Sequence, residues 1–322
     1  MMNWRIKGVI QKALGYIPGG AHAHHFFQRR FGDLHNLQDE LDSKVEDWIL
    51  MMGYLRHAGM SINGKRLFEI GTGWYPTFPL CCYLVGAAQV ITVDRNRHLK
   101  DNLTRESVRG IECHLPVIAQ RGEVPLDQVR QRYDRLLEGI VGTVDLGRAT
   151  GGVIQYLARV DACCPGLPDR SVDLVFSNSV LEHVPPNLIP KMFQEANRIL
   201  ADAGLMYHGI NCGDHYAYFD QSITQLHYLQ YSDAQWSRWN NAFLFQNRLR
   251  ANEFLGFAEA TGFEVIFTTA KPSEQKLAQL REVKVHPQFA RFSPEQLCIT
   301  SNDFVARKRP AAIRPSPAHP AP

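Results

Sequence analysis

No pair of cysteines in this chain has the C-x-x-C spacing of a zinc site or a redox motif. The seven cysteines are an odd number and include two adjacent pairs, Cys81-Cys82 and Cys163-Cys164. Reduced thiols in a cytoplasmic protein are the simplest reading, and no metal is expected. Long apolar runs are missing too. The longest uncharged one near the start, Trp48 to Leu55, falls far short of the roughly 20 residues a membrane-spanning helix needs. No signal peptide is expected, because the N-terminus lacks a continuous apolar core and a small-residue cleavage site. Acidic residues are absent from both ends: the first is Asp33, and only basic charges follow Asp303. The net charge of +3 therefore divides into basic ends and an acidic body, which argues against a nucleic-acid-binding face. What remains, 322 residues at 45% hydrophobic and 21% charged, suits one sizeable α/β domain with an extension.

The chain is organised around Lys65 to Asp94, KRLFEIGTGWYPTFPLCCYLVGAAQVITVD. Lys65 to Ile70 reads as a strand launched by the Asn63-Gly64 turn signal. Gly71-Thr72-Gly73 lets the backbone turn sharply and approach a ligand closely. Pro76 and Pro79 fit only the first turn of a helix, which then runs to about Gly86. Gln89 to Asp94 is a β-branched strand ending in a carboxylate. This is a βαβ unit with a glycine loop at the carboxyl end of its first strand, where open α/β sheets bind ligands. The dinucleotide fingerprint G-x-G-x-x-G wants a third glycine, and Pro76 stands there instead. Downstream, Asn96 to Arg109 and Val124 to Ile140 read as helices. Ile154 to Val160 and Ser171 to Ser177 read as strands three and four, Leu205 to Ile210 as strand five, Phe263 to Thr269 as strand six and Leu297 to Arg307 as the last.

The pattern E-x-G-x-G (Glu69 to Gly73) followed by Asp94 resembles the first two motifs of the class I S-adenosylmethionine (SAM) methyltransferases. Asp161-Ala162 after strand three suits the same family, and the block Ser177 to Val184, SNSVLEHV, looks like its type 11 branch. The resemblance implies an α/β, Rossmann-like sandwich. Its seven-stranded sheet has the order 3-2-1-4-5-7-6, strand seven antiparallel, with helices on both faces. It implies SAM as cofactor, held by Glu69, Gly71, Thr72, Gly73, Asp94, Asp161, Ala162 and Asn178. Asp94 would accept from the ribose hydroxyls, and Asp161 from the adenine amino group. The activity implied is methyl transfer to an O or N nucleophile of a small molecule. Two alternatives stay open: an NAD(P)-dependent oxidoreductase, disfavoured by Glu69 and the missing glycine, and a non-catalytic SAM-fold binding or assembly protein.

The flanks complete the organisation: an N-terminal helical extension over 1–60, the catalytic domain over 61–309 and a proline-rich disordered tail over 310–322. Ile6, Val9, Ile10, Ala13, Leu14 and Ile17 lie at helical spacing among Arg5, Lys7 and Lys12. Residues 4–17 thus form a basic amphipathic helix, docked on the domain or touching an anionic membrane surface. His22, His24 and His25 follow the Pro18-Gly19-Gly20 stop and read as solvated. Leu37, Leu41, Val45, Trp48, Met52 and Leu55 mark a buttress helix. An insertion over about 211–246 is dense in aromatics and histidine and is expected to be a lid or substrate loop. In it Asn211, Asp214 and Tyr218 are the candidate substrate contacts. For proton handling the candidates are His183 and His215, both following strand ends, with Asp214 placed to orient His215.

Overall fold

The structure, a computed structural model, describes residues 3–15, 37–142, 144–241 and 245–309. The loop histidines 22, 24 and 25, the Pro18-Gly19-Gly20 stop and the tail over 310–322 lie outside the described residues. The helices used below are α1 (Trp4–Gly15), α2 (Leu37–His57), α3 (Thr77–Leu84), α4 (Asp101–Gly110), α5 (Leu115–Gly122), α6 (Leu126–Gly139), α7 (Ile189–Ile199) and α8 (Ala251–Ala260). The strands are β1 (Arg66–Ile70), β2 (Gln89–Asp94), β3 (Ile154–Ala158), β4 (Val172–Asn178), β5 (Leu200–Asn211), β6 (Phe263–Thr268) and β7 (Ser301–Lys308). They form one seven-stranded sheet in the order β3-β2-β1-β4-β5-β7-β6. β7 runs antiparallel to both β5 and β6, and the other pairings are parallel.

Because side chains alternate along a strand, each strand feeds two cores. Leu67, Val90, Leu174, Phe176, Leu205 and Tyr207 pack against α2, α3, α5 and α6. Phe68, Ile91, Val175, Met206 and Phe304 pack against α7 and α8. Every residue of α3 is buried, so this short helix can be apolar all round. Its N-terminus sits at Pro76, where a missing N–H costs nothing. α2 buries its expected stripe, Leu41, Val45, Trp48, Met51, Met52 and Leu55, and stops before Gly59, whose φ is +81°.

Several element boundaries differ from the sequence reading, and strand five, expected from Leu205, begins at Leu200. The helix expected from Asn96 begins at Asp101, and β7 begins at Ser301 after a helical turn over Pro294–Leu297 that Ser293 caps. α1 differs in orientation. It buries Trp4, Lys7 and Gln11, while Ile6, Val9 and Ile10 are 55%, 60% and 44% exposed. Trp4 is gripped by the rings of Tyr216, His227, Tyr231 and Trp239. The face that docks is thus the one with a single tryptophan, and the aliphatic stripe points outward. The partner of α1 is the insertion after β5, whose own core holds Tyr216, Leu226, Tyr228, Leu229 and Trp236. Most of its aromatics therefore serve packing, and Tyr218, 57% exposed, is an exception. Among the described residues no helix is long and apolar enough to cross a membrane, and all seven cysteines are free thiols.

Candidate active site

The glycine loop leaves β1 with two residues in the left-handed region, Gly71 at φ +84° and Gly73 at φ +71°. Gly71 is doubly constrained. Its N–H donates to the Val93 carbonyl at 2.8 Å, and a Cβ there would lie 2.4 Å from Val180 Cγ2. The loop is thus pressed between β2 and the turn after β4, with no room for a side chain.

Asp94 ends β2 beside this loop. Its Oδ1 accepts from the Gly73 N–H at 3.3 Å. Its Oδ2 is buried without a hydrogen bond of normal geometry, although the Tyr156 and Thr72 hydroxyls lie near enough to favour the charged form. Burial outweighs these contacts and pushes the carboxyl up to about 7. Such a group is poised to accept hydroxyl donors from a ligand. Glu69, one strand over and in register with Thr92, accepts from the Thr92 hydroxyl, which also touches Thr72. Burial raises Glu69 to about 8, and the nearby Asp94 adds to this while Thr92 and Lys44 oppose it. Glu69 and Thr72 are both buried beneath the loop, not on the ligand cavity.

A cavity of about 530 Å³ opens next to the loop, a size usual for a small-ligand site. Gly71, Asp94, Asp161 and Ala162 line it together, from the ends of three adjacent strands, and His183 lines its far side. Asp161 is exposed and its Oδ1 accepts from the Cys163 N–H at 2.9 Å. Of the expected cofactor set, the structure therefore brings Gly71, Asp94, Asp161 and Ala162 to one cavity. Asn178 is elsewhere: its amide donates to Asp47 Oδ2 of α2 at 2.8 Å.

The SNSVLEHV block turns at Ser179, a non-glycine residue at φ +54° whose N–H donates to Gly209 O. Leu181–His183 then form one turn of 3-10 helix. Glu182 is 1% exposed. Its Oε1 accepts from the Asn211 N–H at 3.2 Å, and its Oε2 has no partner. Burial pushes it up to about 8, with Asn211 and Lys44 opposing. His183 is exposed and lines the cavity. Nδ1 donates to the Phe245 carbonyl at 2.7 Å, leaving Nε2 as the bare nitrogen. Burial lowers its pKa, and the Phe245 bond opposes this. The His215 ring meets it edge-on at 5.0 Å. His215 is driven down to about 3 by burial and by His183, and its Nε2 is buried without a partner. Both rings are therefore neutral near pH 7. The two candidate histidines thus meet, as both following strand ends suggested.

Asp214 does not serve His215. It is fully buried, its Oδ2 bound to His227 Nδ1 at 2.8 Å and its Oδ1 accepting from the Tyr216 N–H at 2.9 Å. It caps the turn over His215–Tyr218, and neither oxygen is left for a substrate. Asn211 and Tyr218 hydrogen-bond to each other, Asn211 Nδ2 donating to the phenol oxygen, beside the histidine pair.

Sequence reading missed the stretch that holds the two histidine turns together. Asn247 donates through its amide to Leu181 O at 2.7 Å and Val184 O at 2.8 Å, and through its backbone to Glu182 O. Gln246 accepts from the His215 N–H at 3.2 Å, while Phe245 accepts from His183. No motif marks these residues. Glu182 lies inside the SNSVLEHV block, where nothing in the sequence marks its burial. The expectation that no metal-ligand cluster exists also needs correcting: Glu182, His183 and His215 place their ligand atoms within 4.8 Å of one another. His215 lies 32 residues after the adjacent Glu182-His183 pair, so spacing alone did not reveal the cluster.

Residues 148–208 match the family described as a methyltransferase domain. No curated protein matches the chain. Similar solved structures include the SAM-dependent methyltransferase of Mesorhizobium loti, at 13% identity and TM-score 0.40 over 79% of this chain and 95% of that one. Another is a SAM-dependent methyltransferase of Methanosarcina mazei, at 16% and 0.42 over 79% and 97%. A third is geranyl diphosphate methyltransferase in complex with SAM, at 11% and 0.47 over 84% and 90%. The family match falls on β3, β4, α7 and most of β5, the segments that carry Asp161 and the SNSVLEHV block. Together with the strand order and the two left-handed glycines before it, this stretch is similar to a methyltransferase domain.

Proposed function

We propose that the protein transfers the SAM methyl group to an oxygen or nitrogen of a small molecule, with the cofactor held by Gly71, Gly73, Asp94, Asp161 and Ala162. The observation that carries this reading is the continuity of one cavity from Gly71 and Asp94 to His183. The residues fit the cofactor: Asp94 offers a buried, unpaired oxygen to a diol, Asp161 an exposed carboxylate to an amino group, and Gly71 the absence of a Cβ. When bound, SAM supplies a methyl on a cationic sulfur, transferred by in-line displacement.

The chain's own part is to position, to exclude water and to handle a proton. A held nucleophile needs near-attack geometry more than covalent help. A hydroxyl or protonated amine must also lose a proton. His183 Nε2 is a neutral acceptor on the cavity wall, His215 meets that ring edge-on from behind with its Nε2 buried, and Asn211 and Tyr218 stand beside the pair as acceptor contacts. A small-molecule acceptor suits the cavity of about 530 Å³ and the acidic body of the chain.

The test is a pair of measurements on the purified protein. Isothermal titration should show SAM binding with no comparable binding of NAD(H). Metabolite extract incubated with enzyme and SAM should yield products heavier by one methyl. SAM binding without any methylated product would sink the catalytic reading and favour a binding protein.

A further inference from the structure

We propose that Glu182, His183 and His215 form a site for one divalent transition-metal cation of the zinc, iron(II) or cobalt(II) kind. The donor set is two imidazoles and a carboxylate, which suits these ions, whereas magnesium and calcium prefer oxygen alone. The three side chains come from turns after two neighbouring strands, β4 and β5, and their ligand atoms already lie within 4.8 Å of one another. Ligands on a tetrahedral ion stand roughly 3.3 Å apart at bonds of about 2.0 Å. Side-chain rotation covers that difference.

Three further observations point to a cation and not to an internal hydrogen-bonded triad. First, among the described contacts Glu182 bonds to neither histidine, although a buried carboxyl beside two imidazoles would ordinarily pair with one. Second, the atoms left over are those a metal needs. Glu182 Oε2 and His215 Nε2 are buried and unpartnered, and His183 Nε2 is bare because Nδ1 is committed to Phe245. Third, the outer partners are in place. A backbone carbonyl fixes the His183 tautomer, and the Asn211 N–H holds the other Glu182 oxygen. Metal-ligating side chains are usually oriented by such contacts.

The consequence for catalysis deepens the proposed function and rests on it: with the cation bound, the histidine lone pairs are spent on coordination, and the cation promotes loss of the acceptor's proton in place of a histidine base. His183 lines the cofactor cavity, so the cation's remaining position adjoins the acceptor. It would select a small molecule carrying a metal-binding hydroxyl or carboxylate oxygen and hold that oxygen beside the transfer point.

The test is made without SAM or acceptor, so its outcome is independent of methyl transfer. Cys113 and Cys164 are exposed thiols able to bind zinc, and both are first replaced by serine. The full-length protein is stripped with a chelator and titrated with Zn²⁺ by calorimetry and with Co²⁺ by visible absorption. One equivalent should bind, and Co²⁺ should give ligand-field bands. His215→Ala and Glu182→Gln should each weaken binding by at least about tenfold, while far-UV circular dichroism and the melting temperature of the ligand-free proteins report that each variant is folded. His215→Asn replaces any variant that fails to fold. The absence of a saturable single site, or unchanged affinity in the folded variants, would overturn the proposal. Metal binding without methyl transfer would uphold the site and count against the proposed function alone.

Discussion

Asp94 offers the sharpest test of the cofactor assignment, because one of its oxygens is already spent and the other is not. Oδ1 takes the Gly73 N–H at 3.3 Å, and Oδ2 is buried with no hydrogen bond of normal geometry. A ribose hydroxyl donating to that oxygen forms a charge-assisted bond worth about 1.5–3 kcal/mol. Its loss in Asp94→Ala should weaken SAM roughly 10- to 150-fold. The fold should survive, since the substitution removes a carboxyl whose charge the site does not solvate well. The same geometry sets a pH dependence. Burial holds Asp94 up at about 7, and only the ionised form is a full acceptor on both oxygens. The dissociation constant should therefore rise about tenfold from pH 8 to pH 6. Asp94→Asn cannot ionise, so its affinity should be weak and flat over that range once SAM's own titration is subtracted. Calorimetry at pH 6, 7 and 8 on the three proteins decides the matter. A folded Asp94→Ala protein with undiminished SAM affinity would refute the assignment.

Gly71→Ala, at φ +84° and with 2.4 Å to Val180 Cγ2, should cost more than about 1 kcal/mol in denaturant unfolding and abolish the SAM-induced thermal shift. Removing residues 1–20 should leave SAM affinity within about twofold of the full chain, because Trp4 docks on Tyr216 and Trp239 and not on the cavity. Lost binding would make the segment a cofactor lid. Vesicle co-sedimentation compares the same two proteins, and the exposed Ile6, Val9 and Ile10 predict that only the full chain binds anionic lipid. His183→Ala and His215→Ala should keep SAM affinity and lower turnover about 10²–10⁴-fold if either ring accepts the proton; normal turnover in both would leave positioning as the whole mechanism. For stability, Glu69, Asp94 and Glu182 have folded pKa values raised to about 8, 7 and 8, so the folded state binds the extra protons and loses that stabilisation as pH rises. Below pH 6.5 the lowered pKa values of His183, His208 and His215 act oppositely, so the net fall in melting temperature should show between about pH 6.5 and 8.

Much of this was written locally in the chain. The βαβ unit followed from β-branched runs, two prolines and a glycine pair, because each feature constrains its own backbone. Asp94, Asp161 and His183 were findable since Asp94 ends a strand and the other two lie three and five residues after one, and in a parallel sheet those ends share one edge. The orientation of α1 was not legible. Periodicity shows that a helix has an apolar stripe, but not whether that stripe or a single tryptophan meets the neighbouring element. The partner of Asp214 was equally hidden: adjacency to His215 suggested a pair, whereas a capping turn sends its carboxylate to His227, thirteen residues on. Asn178 followed a strand as well, but α2 supplies Asp47 to its amide, a contact between segments 131 residues apart.

Topology explains why the site needs residues without motifs. The β1–β4–β5 adjacency brings the loop at Gly71, the turn at Glu182-His183 and the turn at His215 to one edge, and none of these turns is stabilised by a regular element of its own. A one-turn 3-10 segment has poor internal hydrogen bonding and depends on outside partners. Phe245, Gln246 and Asn247 supply them, bonding to both histidine turns within three consecutive residues. Arg250 then anchors that stretch, donating to Cys212 O at 2.8 Å from a fully buried position at the start of α8. The placement of the two histidine turns thus comes from the chain between the aromatic insertion and α8, which returns to bind the loops that precede it. The side at Gly71 and Asp94 has a different support, because β1, β2 and β3 hold Ile70, Asp94 and Ala158 in strand register.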